Sequence, residues 1–174
     1  AENPELSSAL IDTPQMFAGD INHRVVVGDT ALHLAAAGYR AAIVVALLEA
    51  GADIDADAGD RASTPLHYAC EGYINASEWN ERAQLATVAV LLDADASLEA
   101  KDKNGATPLH KAVRTRCAGA VGLLLDRGAR ADVQNKSGST PFHLAVQNTG
   151  RGGTGAARAV EAQAKIIRTF VDHG

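Results

Sequence analysis

Four copies of one short pattern constrain this chain more than any other feature. They read Thr30-Ala31-Leu32-His33-Leu34-Ala35, Thr64-Pro65-Leu66-His67-Tyr68-Ala69, Thr107-Pro108-Leu109-His110-Lys111-Ala112 and Thr140-Pro141-Phe142-His143-Leu144-Ala145. Successive copies start 34, 43 and 33 residues apart. A second block follows each copy: Leu47-Leu48-Glu49-Ala50-Gly51, Leu91-Leu92-Asp93-Ala94-Asp95, Leu124-Leu125-Asp126-Arg127-Gly128 and Phe170-Val171-Asp172-His173-Gly174. Self-similarity at this period implies stacked copies of one supersecondary unit, none able to bury its apolar face alone.

Each copy reads as a helix start. Threonine is a good N-cap, because its hydroxyl can accept from a free backbone N–H. Proline follows at the first helical position, where its missing N–H costs nothing. Leu109, Ala112 and Val113 then form an apolar stripe at helical spacing, as do Leu32/Ala35/Ala36, Leu66/Ala69/Cys70 and Phe142/Ala145/Val146. A second helix closes at Gly51, Gly128 or Gly174, where a left-handed residue is wanted. Asp95 takes that place in the second unit, and aspartate tolerates the left-handed region better than most residues.

Composition agrees. Of 174 residues, 35 are alanine and only 4% are aromatic, so the core is built from small aliphatic groups suited to closely approaching helices. An antiparallel β-sandwich would call for more β-branched and aromatic residues. No apolar run reaches the 18 residues of a membrane-spanning helix, and no signal-peptide pattern opens the chain. Cys70 and Cys117 are too few for a disulfide scaffold and read as free thiols, compatible with an intracellular, cytoplasmic setting.

The pattern Thr-Pro-Leu-His-x-Ala at this spacing resembles the ankyrin repeat, over about residues 20–174. The resemblance implies an all-α solenoid of helix–turn–helix units joined by β-hairpin-like loops. It divides a single domain (1–174) into an N-terminal cap or degenerate repeat (1–29), then repeats 1 (30–63), 2 (64–106), 3 (107–139) and 4 (140–174). Repeat 2 gains about ten residues between its helices, around Tyr73 to Arg82, and repeat 4 about thirteen, around the Gly-rich stretch Gly150 to Arg158. The loop from Asp53 to Ser63 is one residue long relative to the pattern. No covering element follows the glycine that ends unit four, which leads to the expectation that more chain follows.

The resemblance also implies a non-enzymatic module that binds a protein partner with the loop tips and the concave face of the first helices. Mapped onto this chain, the partner-binding residues are Asp60, Arg61, Tyr68, Glu71, Lys103, Asn104, Lys111, Arg114, Thr115, Lys136, Gln147 and Asn148. That groove runs from apolar at unit one (Leu34) through aromatic and acidic at unit two to basic at unit three and amide-rich at unit four. Lys103, Lys111 and Arg114 are expected to hold an acidic element of the partner. A possible second surface lies on the opposite edge, where Trp79 sits in the first insertion, either folded back over its own unit or exposed as an anchor.

Other chemistry is weaker. The signature histidines recur roughly 10 Å apart along a stack of packed helices, too far apart to share one metal. Asp53 to Asp60 begins like a calcium loop, but its glycine comes one place late and Thr64 stands where a bidentate glutamate is needed. Gly150-Arg151-Gly152-Gly153-Thr154-Gly155 matches a dinucleotide fingerprint without the strand that must precede it. Anion binding at the following helix start, aided by Arg151 and Arg158, is the alternative use of that loop. Nothing forms a nucleophile–base–orienter set, so no catalytic residue, cofactor or metal is expected. Nucleic acid is not expected either, since seven aromatics in an acidic chain offer no stacking platform.

The net charge of −5 hides a division: residues 1–100 carry −12 and residues 101–174 carry +7. This polarity suits a monomer with weak head-to-tail self-association, or a segment that docks within a larger protein.

Overall fold

The computed structural model describes residues 20–24, 28–71, 79–147 and 157–174, the side chains of 157 and 158 excepted. Among the described residues there are eight α-helices and no strand. They are α1 (Ala31–Ala37), α2 (Ala41–Glu49), α3 (Pro65–Cys70), α4 (Glu81–Asp93), α5 (Pro108–Arg114), α6 (Ala118–Asp126), α7 (Pro141–Val146) and α8 (Ala157–Asp172), with one 3-10 turn at Gly59–Arg61. Each odd-numbered helix packs on the even-numbered helix that follows it. Odd helices also stack on odd ones, α1 on α3 on α5 on α7, and even on even, α2 on α4 on α6 on α8. The result is a two-layered solenoid whose core runs continuously between the layers.

The threonine–histidine pair starts every unit. Thr30, Thr64, Thr107 and Thr140 each form a reciprocal capping box with the histidine three residues on. The threonine backbone N–H donates to histidine Nδ1 at 3.0–3.2 Å in all four units. Because that nitrogen accepts, the ring proton resides on Nε2. In three units Nε2 donates to the carbonyl of the last residue of the unit, just before the next capping threonine: His33 to Ser63, His67 to Ala106 and His110 to Ser139. One side chain therefore caps its own helix and staples the loop that leads into the next unit. Burial holds all three histidines below the usual pKa, against the opposing pull of those carbonyls.

The small-residue stripe is the core. Ala35, Ala36, Ala69, Ala112 and Ala145 are buried beside Leu32, Leu66, Leu109 and Leu124. Burying one such leucine contributes about 1.5–3 kcal/mol. Gly119 shows how close the outer helices come, since a Cβ there would sit 3.0 Å from Leu85 of α4. The left-handed helix stops appear at Gly51, Gly128, Gly174 and Asp95. The extra residue of the first connecting loop is absorbed by the 3-10 turn and by Ala62, with φ +48°.

The connecting loops are hairpin-like in their bonding. Ala58 N–H donates to Ser63 O, Asp102 N–H to Ala106 O and Asn135 N–H to Ser139 O. Neighbouring tips are also joined, Lys103 N–H to Arg61 O and Lys136 N–H to Asn104 O, each at 2.9 Å.

Candidate partner-binding surface

The concave side is made by the exposed flank of α1, α3, α5 and α7 together with the tips. Leu34 stands open on α1, 48% exposed. Beside it Tyr68 of α3 lies partly covered, its ring edge-on to His33 at 5.2 Å. The Tyr68 hydroxyl donates to Asp29 Oδ1 at 2.8 Å and also meets Arg61. Burial and the Asp29 carboxylate push this phenol up to about 12, so it is a neutral donor at every physiological pH.

Unit two hands over to unit three through an ionic cluster. Lys111 Nζ lies 2.9 Å from Glu71 Oε1 and 3.1 Å from Asp102 Oδ2. Arg114 Nη2 reaches the same Glu71 oxygen at 3.2 Å. Burial pushes the Asp102 carboxyl up, but the Ala106 and Asn104 backbone N–H groups and the Lys111 ammonium outweigh it and hold the group below the usual carboxylate range. Lys111 is only 8% exposed, so the expectation that its ammonium faces a partner is corrected: the charge is spent inside the protein. The physical reason is Asp102, which folds back through an Asx-type turn, with Oδ1 accepting from Asn104 and Ala106, and brings its second oxygen over the lysine. Arg114 keeps an exposed guanidinium although it shares Glu71.

The remaining positions divide by role. Thr115 is partly buried and donates to the Lys111 carbonyl at 2.9 Å, closing α5. Asp60, Arg61, Lys103, Asn104 and Lys136 are exposed on the tips. Gln147 ends α7, and Asn148 lies outside the described residues, as do the Gly150–Gly155 loop, Arg151 and the side chain of Arg158. On the other edge, Trp79 is half-buried against the core, and its indole N–H donates to Gln84 Oε1 at 3.2 Å. With Glu81, Arg116, Glu161 and Lys165 it lines a pocket of about 160 Å³.

Sequence reasoning missed two contributors, Asp102 and Tyr39. Asp102 was signalled by the Asp-x-Asn-Gly turn that it opens. Tyr39 of unit one, whose hydroxyl donates to the Glu71 carbonyl, carried no signal because it lies outside the repeated blocks. Asp29, the acceptor of Tyr68, stands immediately before the first capping threonine. The acidic loop is also engaged: Asp53 accepts from the Asp55 N–H, Asp55 from the Ser97 N–H, and Asp57 pairs with Arg24.

Comparison with known proteins bears on the fold. Three family models match: ankyrin repeats (3 copies) over residues 2–79, a single ankyrin repeat over 63–103, and ankyrin repeats (many copies) over 91–145. The chain is also 33% identical over 96 residues to alpha-latrotoxin-Lg1a of Latrodectus geometricus. That match covers 55% of this chain and 6% of the toxin, so the chain spans a small part of that relative's length. The capped and stapled units, their spacing and the family matches from residue 2 to residue 145 together establish that the chain belongs to the ankyrin-repeat family.

Proposed function

We propose that this chain binds a protein partner through its concave face, with no catalytic role. Ankyrin repeats are in general protein–protein interaction modules, and none of the matched families is a catalytic one. The observation that carries the reading is the row of side chains that α1, α3, α5 and α7 leave wholly or partly open. Leu34, Tyr68, Arg114 and Gln147 occupy one flank across four units and change from apolar through aromatic to basic and amide. An apolar anchor of the partner fits over Leu34, and an acidic element fits beside Arg114 and Lys103. No described helix is long and apolar enough to cross a membrane. The buried thiols Cys70 and Cys117 suit a reducing cytoplasm.

The test is selection of ligands from a displayed random-peptide library on the folded chain. Ligands that define the groove lose at least about tenfold in affinity on Leu34→Asp, equivalent to about 1.4 kcal/mol. Ligands indifferent to that change would refute the reading.

A second reading, end-to-end self-association, is favoured by one specific contrast. Leu32, Leu66 and Leu109 are at most 1% exposed, whereas Phe142 at the same position of unit four is 40% exposed and Val146 beside it 51%. Joined to the acidic-to-basic polarity of the chain, this predicts association that weakens with salt in sedimentation velocity. Sedimentation independent of concentration at low salt would remove it.

A further inference from the structure

The tips carry an arrangement that the groove reading uses only at Lys103. Lys103 and Lys136 occupy equivalent places on consecutive tips, four residues before the capping threonines Thr107 and Thr140. Both side chains are exposed. The Lys103 backbone N–H donates to Arg61 O, so Arg61 of the preceding tip lies alongside Lys103. The Lys136 N–H makes the same bond to Asn104 O one unit further on. These bonds join the tips and fix the backbone positions that carry the cations.

Their electrostatic state differs from that of the neighbouring bases. Lys111 and Arg114 are neutralised by Glu71 and Asp102, Arg127 by Asp93 and Arg130 by Asp132. Lys103 and Lys136 have no acid within 4.0 Å among the described residues. The one carboxylate on the Lys103 tip, Asp102, is turned inward and spent on Lys111. Removing Asp102 from the surface leaves that tip positive, with Lys101 also exposed beside it. At the other end Asp60 is exposed next to Arg61 and opposes an acid there.

Resting on the partner-binding reading and deepening it, we propose that Arg61, Lys103 and Lys136 form a tip-borne cationic row that binds an extended acidic segment of a protein partner. Stacked units are spaced roughly 10 Å apart. An extended chain in the polyproline II form advances about 3.1 Å per residue with three residues per turn, so residues three apart share one face and span about one unit. The matching ligand therefore carries its acids three residues apart. An acidic helix or a contiguous acid run presents the same charge at the wrong spacing. Lys111 and Arg114, both paired with Glu71, take no part in the row.

The experiment is a fluorescence-anisotropy titration of the folded chain with two synthetic twelve-residue peptides of identical composition. One has four glutamates three residues apart in a Gly/Ser background, and the other has four contiguous glutamates. The row predicts at least about fivefold tighter binding of the spaced peptide, with affinity falling as salt rises. Lys103→Glu with Lys136→Glu removes at least about tenfold of that affinity. Lys165→Glu with Arg168→Glu makes the same change in net charge on α8 and leaves binding within about twofold. Equal binding of the two peptides, or equal losses from the two variant pairs, would overturn the proposal by reducing the effect to bulk charge. Leu34→Asp separates the two readings. If groove-selected ligands lose affinity on Leu34→Asp while the spaced peptide fails, the tip row falls and the groove stands. If those ligands ignore Leu34→Asp while the spaced peptide behaves as described, the groove falls and the row stands as a binding surface of its own.

Discussion

Units one and three turn from first helix to second in a different way from units two and four. In the tight units a left-handed residue, Tyr39 with φ +55° or Arg116 with φ +65°, reverses the chain. The next backbone N–H then closes on the first helix, Arg40 to Ala35 O at 3.0 Å and Cys117 to Ala112 O at 2.9 Å. In the units with insertions the first helix ends in extended backbone at Glu71 or Gln147. The second helix instead starts earlier: α4 has 13 residues and α8 has 16, against 9 in α2 and α6. The equivalent position now lies inside a helix, where its backbone N–H is committed to the helical ladder. In both units that position is glutamine, and its side-chain amide donates to the carbonyl the turn would have served, Gln84 to Ala69 O at 2.9 Å and Gln163 to Ala145 O at 2.8 Å. A buried carbonyl must be satisfied, and a side chain can replace a backbone donor when an insertion removes it. The lengthening of about one and about two helical turns returns the packing face to the same side.

The comparison can be broken at its edges. The largest effect is expected where unit three clamps unit two at the point from which the first insertion departs. Lys111→Ala leaves Asp102 and Glu71 facing each other with no buried cation and should cost about 3 kcal/mol in urea denaturation followed by circular dichroism. A change under about 1 kcal/mol would mean that the cluster is solvated rather than structural. Gln84→Leu comes next. Its side chain is fully buried and its oxygen also accepts from Trp79, so two groups lose partners, at about 2 kcal/mol. Gln163→Leu acts on a more open site and should cost about 1 kcal/mol. Arg40→Ala, at the equivalent position in a tight unit, keeps its backbone donor and should stay within about 0.5 kcal/mol. Equal losses from Gln84→Leu and Arg40→Ala would erase the distinction.

The histidine staple belongs to both kinds of unit and gives a control by pH. His33, His67 and His110 have folded pKa values lowered by burial. Above the usual histidine value neither state binds the proton, and no stability depends on it. As pH falls through that value the unfolded chain takes up protons that the folded chain refuses, so stability declines toward pH 5. His173, raised by Asp126, acts in the opposite sense at an exposed site. The urea midpoint should fall between pH 7.5 and 5.5, while the cost of Gln84→Leu stays constant across that range. A flat midpoint would contradict the tautomer assigned to the staples.

Most of the fold was legible because its determinants are local. Threonine caps, first-turn prolines and left-handed stops at Gly51, Gly128 and Asp95 act within a turn of themselves. What escaped depends on contacts between units. Lys111 looked exposed because its helical face is open in isolation, and only the returning Asp102 carboxylate covers it. Gln84 and Gln163 read as ordinary polar helix residues, because the carbonyls they serve lie 15 and 18 residues back. Trp79 could be read either as an anchor or as a cover, and the structure turns its indole N–H inward to hold Gln84 in place.

The central claim is that the first-helix side, and not the second-helix side, meets the partner. The direct measurement is backbone amide chemical-shift mapping by NMR with a groove-selected peptide added to the folded chain. The account predicts shifts concentrated at Leu34, Tyr68, Arg114 and Gln147 and along the tips at Arg61, Lys103 and Lys136. Shifts concentrated instead at Leu85, Gly122 and Thr169, which line a groove among α4, α6 and α8, would contradict it.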